Sequence, residues 1–196
     1  EGDAEALKNG HPDFIGFNYY NTATCQWSDG TEDLSGASDQ QTSKGITGMY
    51  KGFRNPNLPT TEFGWEIDPI GFRSTVREMY SRYRLPLIVT ENGLGAYDKL
   101  TEDGKIHDSY RIEYLRKHIE QIQLAITDGV EMMGYCPWSA IDLVSTHEGI
   151  VKRYGFIYVD REEFDLKTLN RYRKDSFYWY KDVIASNRSE ERRVGK

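Results

Sequence analysis

No run of apolar residues in the 196-residue chain approaches the roughly 20 needed to span a bilayer. A positively charged segment followed by an apolar one, the mark of a secretory leader, is also missing from its start. Cysteine is scarce, with only Cys25 and Cys136, which excludes a disulfide framework and leaves two reduced structural thiols as the expectation. The four histidines, His11, His107, His118 and His147, show no paired ligand spacing, so no metal site is expected. Basic residues are outnumbered: the net charge of −6, with both signs well mixed, lacks the basic footprint of a nucleic-acid binder. No strand is followed by GxGxxG or GxxxxGK[ST], so a nucleotide-binding sheet loses support.

Aromatic residues are plentiful, with 14 Tyr and 4 Trp, and 38% of the chain is hydrophobic, as in a soluble globular domain. The opening Glu1 to Gly10 has no Met and no targeting pattern and reads as mid-protein sequence, so a piece of a longer chain is expected. Residues 188–196, Arg-Ser-Glu-Glu-Arg-Arg-Val-Gly-Lys, are polar, carry no helical stripe and resemble a translated sequencing adapter. They are set apart as a non-native tail, leaving residues 1–187 as one portion of a single domain.

The apolar pattern alternates short strands with longer helices. Asp13 to Tyr20 reads as a buried strand, followed by a loop over about Asn21 to Glu66. Asp68-Pro69 supplies an N-cap and first helical residue for a helix through about Arg82. Pro86 to Thr90 is a strand with Glu91-Asn92-Gly93 at its end. Ile112, Leu115, Ile119, Ile122 and Ile126 form a +3, +4 stripe on the next helix, which Gly129 stops. Met132 to Ser139 and Gly155 to Val159 read as strands, and Thr168 to about Ser186 as a last helix.

Strand and helix in alternation imply parallel βαβ units. Both an open doubly wound sheet and a part of a (β/α)8 barrel fit. Polar residues collect at the C-terminal ends of the strands (Asn18, Tyr20; Glu91, Asn92; Trp138, Ser139), where barrels build their active sites. A barrel needs eight strands in about 250 residues; three are legible here, so part of a barrel is expected. On Thr90-Glu91-Asn92-Gly93 alone, a nucleophile and a loop-capping carboxylate are both open.

Val89-Thr-Glu-Asn-Gly93 resembles the nucleophile signature of family 1 glycoside hydrolases. Asp13-Phe-Ile-Gly-Phe-Asn-Tyr-Tyr20, Glu91 and Trp138-Ser139 resemble that family's sixth, seventh and eighth strand ends, in order, over about Pro12 to Asn187. The resemblance implies an α/β fold, the C-terminal part of a (β/α)8 TIM barrel at about strands 6–8. It implies that Glu91 is the nucleophile, that Tyr20 orients it, and that Asn18 and Trp138 contact the sugar. Such retaining chemistry needs a second carboxyl group about 5–5.5 Å away. In the family that group lies in an Asn-Glu-Pro motif, which these residues lack, so the chain is expected to be inactive alone.

Leu143-Val-Ser-Thr-His-Glu-Gly-Ile-Val-Lys-Arg-Tyr-Gly155 is similar to the phosphate loop of the 6-phospho-β-glycosidases. β-Glucosidases of the family that act on plain sugars carry Glu-Trp where Ser145-Thr146 stand. The resemblance makes Ser145, Lys152 and Tyr154 three donors toward a 6-phosphate. Thr146, where the phospho-β-galactosidases resemble one another in a Trp, favours the gluco sugar. Asn18 departs from the Phe-Ser-Tyr-Tyr of many phospho-β-glucosidases. The implied substrate is a small phosphorylated β-glucoside hydrolysed in the cytoplasm, without cofactor, metal, nucleic-acid or membrane partner. Trp65 either lines the leaving-group side or packs beneath its loop, and Arg153 either adds positive potential or faces solvent.

Overall fold

The computed structural model describes residues 2–31 and 45–187; the expectation for the tail at 188–196 falls outside them. In chain order the elements are α1 (Asp3–Asn9), β1 (Ile15–Asn18), β2 (Cys25–Trp27), β3 (Gly45–Ile46), β4 (Tyr50–Gly52), α2 (Pro69–Tyr83), β5 (Leu87–Asn92), α3 (Ser109–Thr127), β6 (Met132–Pro137), β7 (Ile157–Val159), β8 (Arg171–Arg173) and α4 (Asp175–Ser186). No helix among the described residues is long and apolar enough to cross a membrane.

The framework is a parallel sheet in the order β1-β5-β6, with α2 and α3 as the crossovers. Parallel pairing requires such crossovers, and the connecting segments carry the helical periodicity that supplies them. Asp68 caps α2 as its sequence suggests, accepting from the Gly71 amide at 2.8 Å. Phe72 and Val76 of α2, Leu87 and Val89 of β5, and Ile122 and Ala125 of α3 meet in one core. Gly129, in the left-handed region, ends α3.

Four expectations are corrected. The segment after Tyr20 is not wholly irregular: β2, β4 and β3 form an antiparallel sheet within it. The expected stripe on α3 holds only at Leu115 and Ile122: the rest of the buried face is Arg111, Tyr114, His118 and Ala125, while Ile112 and Ile119 are half-buried and Ile126 is exposed. Apolar periodicity could not show a face on which three of six residues are polar or aromatic-polar and held by specific partners. The last helix begins at Asp175, not Thr168. Lys167 and Leu169 take left-handed backbone angles that no helix tolerates, and Arg171–Arg173 pairs antiparallel with β7 instead. Cys25 and Cys136 are free, and both lie exposed rather than packed.

A buried ion network ties the loops after the strands to the helices. Arg111 bonds Asp98 at 2.7 Å and Asp108 at 2.9 Å; Lys174 bonds Asp142 at 2.7 Å and also Asp98; Arg153 bonds Asp142 at 3.0 Å. Asp108 further accepts from the Ser176 amide at 2.9 Å, so the first turn of α4 is capped by a residue 68 positions earlier. Burial pulls the Lys174 ammonium below its usual range, with Arg111 nearby adding to the effect. Replacing Lys174 with Met would leave three buried carboxylates facing only two arginines. In a full-length protein carrying these residues, urea denaturation should show a loss of about 3–5 kcal/mol.

His118 lies fully buried among Tyr19, Phe72 and Tyr114. Its Nδ1 faces the Tyr114 carbonyl at 2.8 Å, and burial pushes the imidazole down to about 4. The unfolded chain titrates near 6.5, so between the two values it takes up a proton that the folded form refuses. Stability is unaffected above that range and falls with acidification toward pH 4. Between pH 7 and 4.5 this group should account for about 2 kcal/mol of lost stability, a slope that His118→Phe should remove from pH-dependent denaturation curves.

Candidate active site

Strict alternation along β5 would put Glu91 on the same face as Leu87 and Val89, which are fully buried against the helices. Register slips prevent it: Phe17 pairs with Val89 but Asn18 with Glu91, and Tyr135 pairs with Val89 but Pro137 with Asn92. A bulge of this kind re-aims the side chains beyond it. Thr90 and Glu91 both fall on the open side, and Asn92 takes the helix-facing phase. Asn92 is fully buried; its amide donates to the Tyr19 carbonyl at 2.6 Å and the Tyr114 hydroxyl at 3.0 Å, and its oxygen accepts from Tyr135 at 2.6 Å. Tyr114 in turn donates to the Tyr20 carbonyl at 3.1 Å. The ends of β1, β5 and β6 and the helix α3 are thus fixed through one side chain.

Tyr20 donates its hydroxyl to Glu91 Oε2 at 2.7 Å. Burial, reinforced by that carboxylate, pushes the phenol far above its usual range, so it stays a protonated donor at any physiological pH. Gly93 follows because nothing larger fits: a Cβ there would stand 2.0 Å from the Trp138 carbonyl oxygen. The Trp138 amide donates to the Asn92 carbonyl at 2.8 Å, and the Trp138–Ser139 peptide is cis.

Asn18, Tyr20, Asn21, Trp65, Glu91, Trp138, Ser145 and Tyr154 share one cleft of about 440 Å³, with Leu143, Val144 and Thr146 on its wall. Glu91 is the one acid among the described residues lining it. Ser145 and Gly149 exchange backbone hydrogen bonds at 3.0 and 3.1 Å, closing Thr146 to Glu148 into a tight turn with Gly149 in the left-handed region. Glu163 staples that turn by accepting from the Ile150 amide at 2.7 Å. Burial pushes Tyr154 up to about 12, with the Glu148 carboxylate adding to the rise and the Ser145 side chain opposing it.

Six of the seven expected site residues therefore line the cleft. Lys152 does not. It is buried beside it, its ammonium 3.9 Å from the centroid of the Trp65 ring. The two residues left open are both buried. Trp65 is buried and lines the cleft, with its Nε1 lacking a hydrogen-bond partner among the described residues. Arg153 points away from solvent into Asp142 and the carbonyls of Val159 and Arg161. Asn21 was not anticipated; its only sequence signal is that it continues the polar end of the Asn18–Tyr20 strand.

A half-buried carboxylate held by one phenol, an indole wall and a pair of hydroxyls across the cleft is an arrangement suited to a polyol with an anionic end. Residues 1–189 match the model of Glycosyl hydrolase family 1, and the chain belongs to that family. It is 48% identical over 192 residues to aryl-phospho-β-D-glucosidase BglC of Bacillus subtilis, covering 95% of this chain and 40% of the relative. It is 47% identical to 6-phospho-β-glucosidase AscB of Escherichia coli, covering 95% and 37%. A 6-phospho-β-galactosidase of Clostridium acetobutylicum is 38% identical. Among solved structures, a family 1 β-glucosidase from Thermotoga maritima superposes with a TM-score of 0.80 at 33% identity, covering 96% of this chain and 38% of that one. The chain spans about 40% of the length of the curated relatives it matches.

Tyr20→Phe removes the one described side chain that donates to Glu91. In a full-length protein carrying these residues, pre-steady-state kinetics should show release of the first leaving group slowed by about 10- to 100-fold, the cost of a charge-assisted bond.

Proposed function

We propose that these residues form the last three strands, about 6–8, of a (β/α)8 barrel that hydrolyses 6-phospho-β-D-glucosides with retention, giving glucose 6-phosphate and an aglycone. The observation that carries this reading is the placement of the Glu91–Tyr20 pair and the Ser145–Tyr154 hydroxyl pair on one cleft, with Trp138 among its walls. The names of relatives with 47–48% identity, among them aryl-phospho-β-D-glucosidase, 6-phospho-β-glucosidase and phospho-cellobiase, support the phosphorylated substrate.

In the proposed reaction Glu91 attacks the anomeric carbon. The bond to the glycosidic oxygen breaks, and that oxygen takes a proton from a second carboxyl group about 5–5.5 Å from the first. Water then attacks the glycosyl ester, giving its proton to the same group and restoring Glu91. The second carboxyl group is assigned to a part of the protein beyond these residues, which makes this chain inactive by itself. Tyr20 keeps the nucleophile oriented and charged, Trp138 presents a flat apolar face to the sugar, and Asn18 contacts its hydroxyls. Ser145, Tyr154 and Lys152 hold the 6-phosphate, which an acid at position 145 would repel. Neither metal nor cofactor is needed by two carboxyl groups. Phosphorylated sugars do not cross membranes freely, so the reaction is assigned to the cytoplasm.

The test is steady-state kinetics of a full-length protein carrying these residues on an aryl β-glucoside, its 6-phosphate and the matching galactoside 6-phosphate. The reading expects a strong preference for the glucoside 6-phosphate. Lys152→Ala should raise KM for it by roughly 10- to 100-fold, on the order of 1.5–3 kcal/mol. Equal rates with and without phosphate would remove the phosphate loop, and preference for the galactoside would reassign the sugar.

A further inference from the structure

We propose that Gly95 and Phe63, both outside the Ser145–Tyr154 loop, set selectivity for a phosphorylated sugar by seating the side chain of Lys152. The proposal rests on the reading of Lys152 as a phosphate ligand.

Gly95 does not sit in the left-handed region, so its backbone conformation does not call for glycine. What calls for glycine is space. A Cβ there would stand 2.4 Å from Lys152 Cγ, 2.8 Å from Cε and 3.1 Å from Cδ. The aliphatic stem of Lys152 runs directly across this residue. Neither side can yield cheaply: Lys152 is 2% exposed, and the neighbouring residues Ala96 and Arg153 exchange backbone hydrogen bonds at 3.0 Å in both directions.

Arg153 is fixed in turn by Asp142 and two carbonyls, so the extended segment cannot rotate. Alternation along it turns Arg153 away and sends Lys152 and Tyr154 to the same side. The stem delivers the ammonium to three rings, with centroids at 3.9 Å for Trp65, 4.8 Å for Phe63 and 5.7 Å for Tyr154. Phe63 is braced by the ring of Tyr97 at 4.6 Å. Trp65 and Tyr154 line the cleft and Lys152 does not, so the charge is stored one residue behind the wall.

An aromatic face attracts an ammonium while leaving its charge in place for an incoming anion. Rotation about the terminal bonds of the lysine would carry the ammonium toward the Ser145–Tyr154 hydroxyl pair when a phosphate arrives. Gly95 fixes the course of the stem and Phe63 helps hold its end, so the ammonium is kept behind the cleft wall rather than in solvent.

The test uses a full-length protein carrying these residues and three variants, Gly95→Ala, Phe63→Leu and Lys152→Ala. Each is assayed on one aryl β-glucoside and on its 6-phosphate, and the ratio of the two kcat/KM values is compared with the parent. Gly95→Ala should lower the ratio by about tenfold through KM of the phosphorylated substrate, the loss expected when a charge-assisted contact is misplaced. Phe63→Leu should lower it by about threefold, the scale of one cation–π contact. Turnover of the unphosphorylated glucoside should stay within about twofold in both, since neither residue lines the cleft. A ratio that stays at the parent value in Phe63→Leu overturns the seat, and that variant decides alone if Gly95→Ala does not fold. A ratio that collapses in Lys152→Ala while holding in both others removes the seat but keeps the phosphate ligand. A ratio that holds in Lys152→Ala removes the ligand itself.

Discussion

The site depends on one change of phase in one strand. β5 enters the sheet with Leu87 and Val89 turned to the helices and leaves it with Asn92 turned there instead, so Glu91 faces the cleft. Asn92 then holds the slip open, because its amide and carbonyl are satisfied by β1, α3 and β6 at once. A buried amide that lost these partners would carry a cost of about 1–3 kcal/mol for each unmade bond. Without the slip, Glu91 would point into hydrocarbon and Tyr20 would have nothing to bind.

The second constraint is electrostatic. Asp98 and Asp108 lie in the connection from β5 to α3 and Asp142 in the one after β6, and Arg111, Arg153 and Lys174 reach them from α3, the segment before β7 and the start of α4. Burying six charges is costly on desolvation grounds, and only a complete and well-aligned set offsets that cost. The geometric consequence is specific. Any displacement of the segment 152–155 breaks bonds to Asp142, which also accepts from the Gly155 amide at 2.9 Å. The loop beside the cleft is therefore anchored by the same charges that fasten the outer helices.

Much of this was legible in the sequence, and the exceptions share a cause. Strand–helix alternation, the Asp68 cap, the Gly129 stop and the polar strand ends each follow from local chemistry, and the framework they imply is the one observed. The family motif located Glu91 and Tyr20, whose 2.7 Å contact needed coordinates. What failed was whatever depended on partners distant in sequence. The inward face of α3 is decided by Asp98, Asp108 and Asn92 rather than by apolar period. The start of α4 is decided by pairing of Arg171–Arg173 with β7 and by a cap from Asp108. Lys152 reads as a loop lysine beside a cleft; that its stem lies against Gly95 and its head against Phe63 and Trp65 is visible only in three dimensions.

The central claim is that Glu91 forms a covalent bond to carbon 1 of a phosphorylated sugar. The direct measurement is mass spectrometry of a full-length protein carrying these residues after reaction with a 2-deoxy-2-fluoro-β-glucoside 6-phosphate bearing an activated leaving group. The account predicts a mass increase of one fluoro-sugar phosphate on the peptide containing Thr90-Glu91-Asn92-Gly93, localised to Glu91. A label on another residue, or inactivation with no covalent adduct, would contradict it.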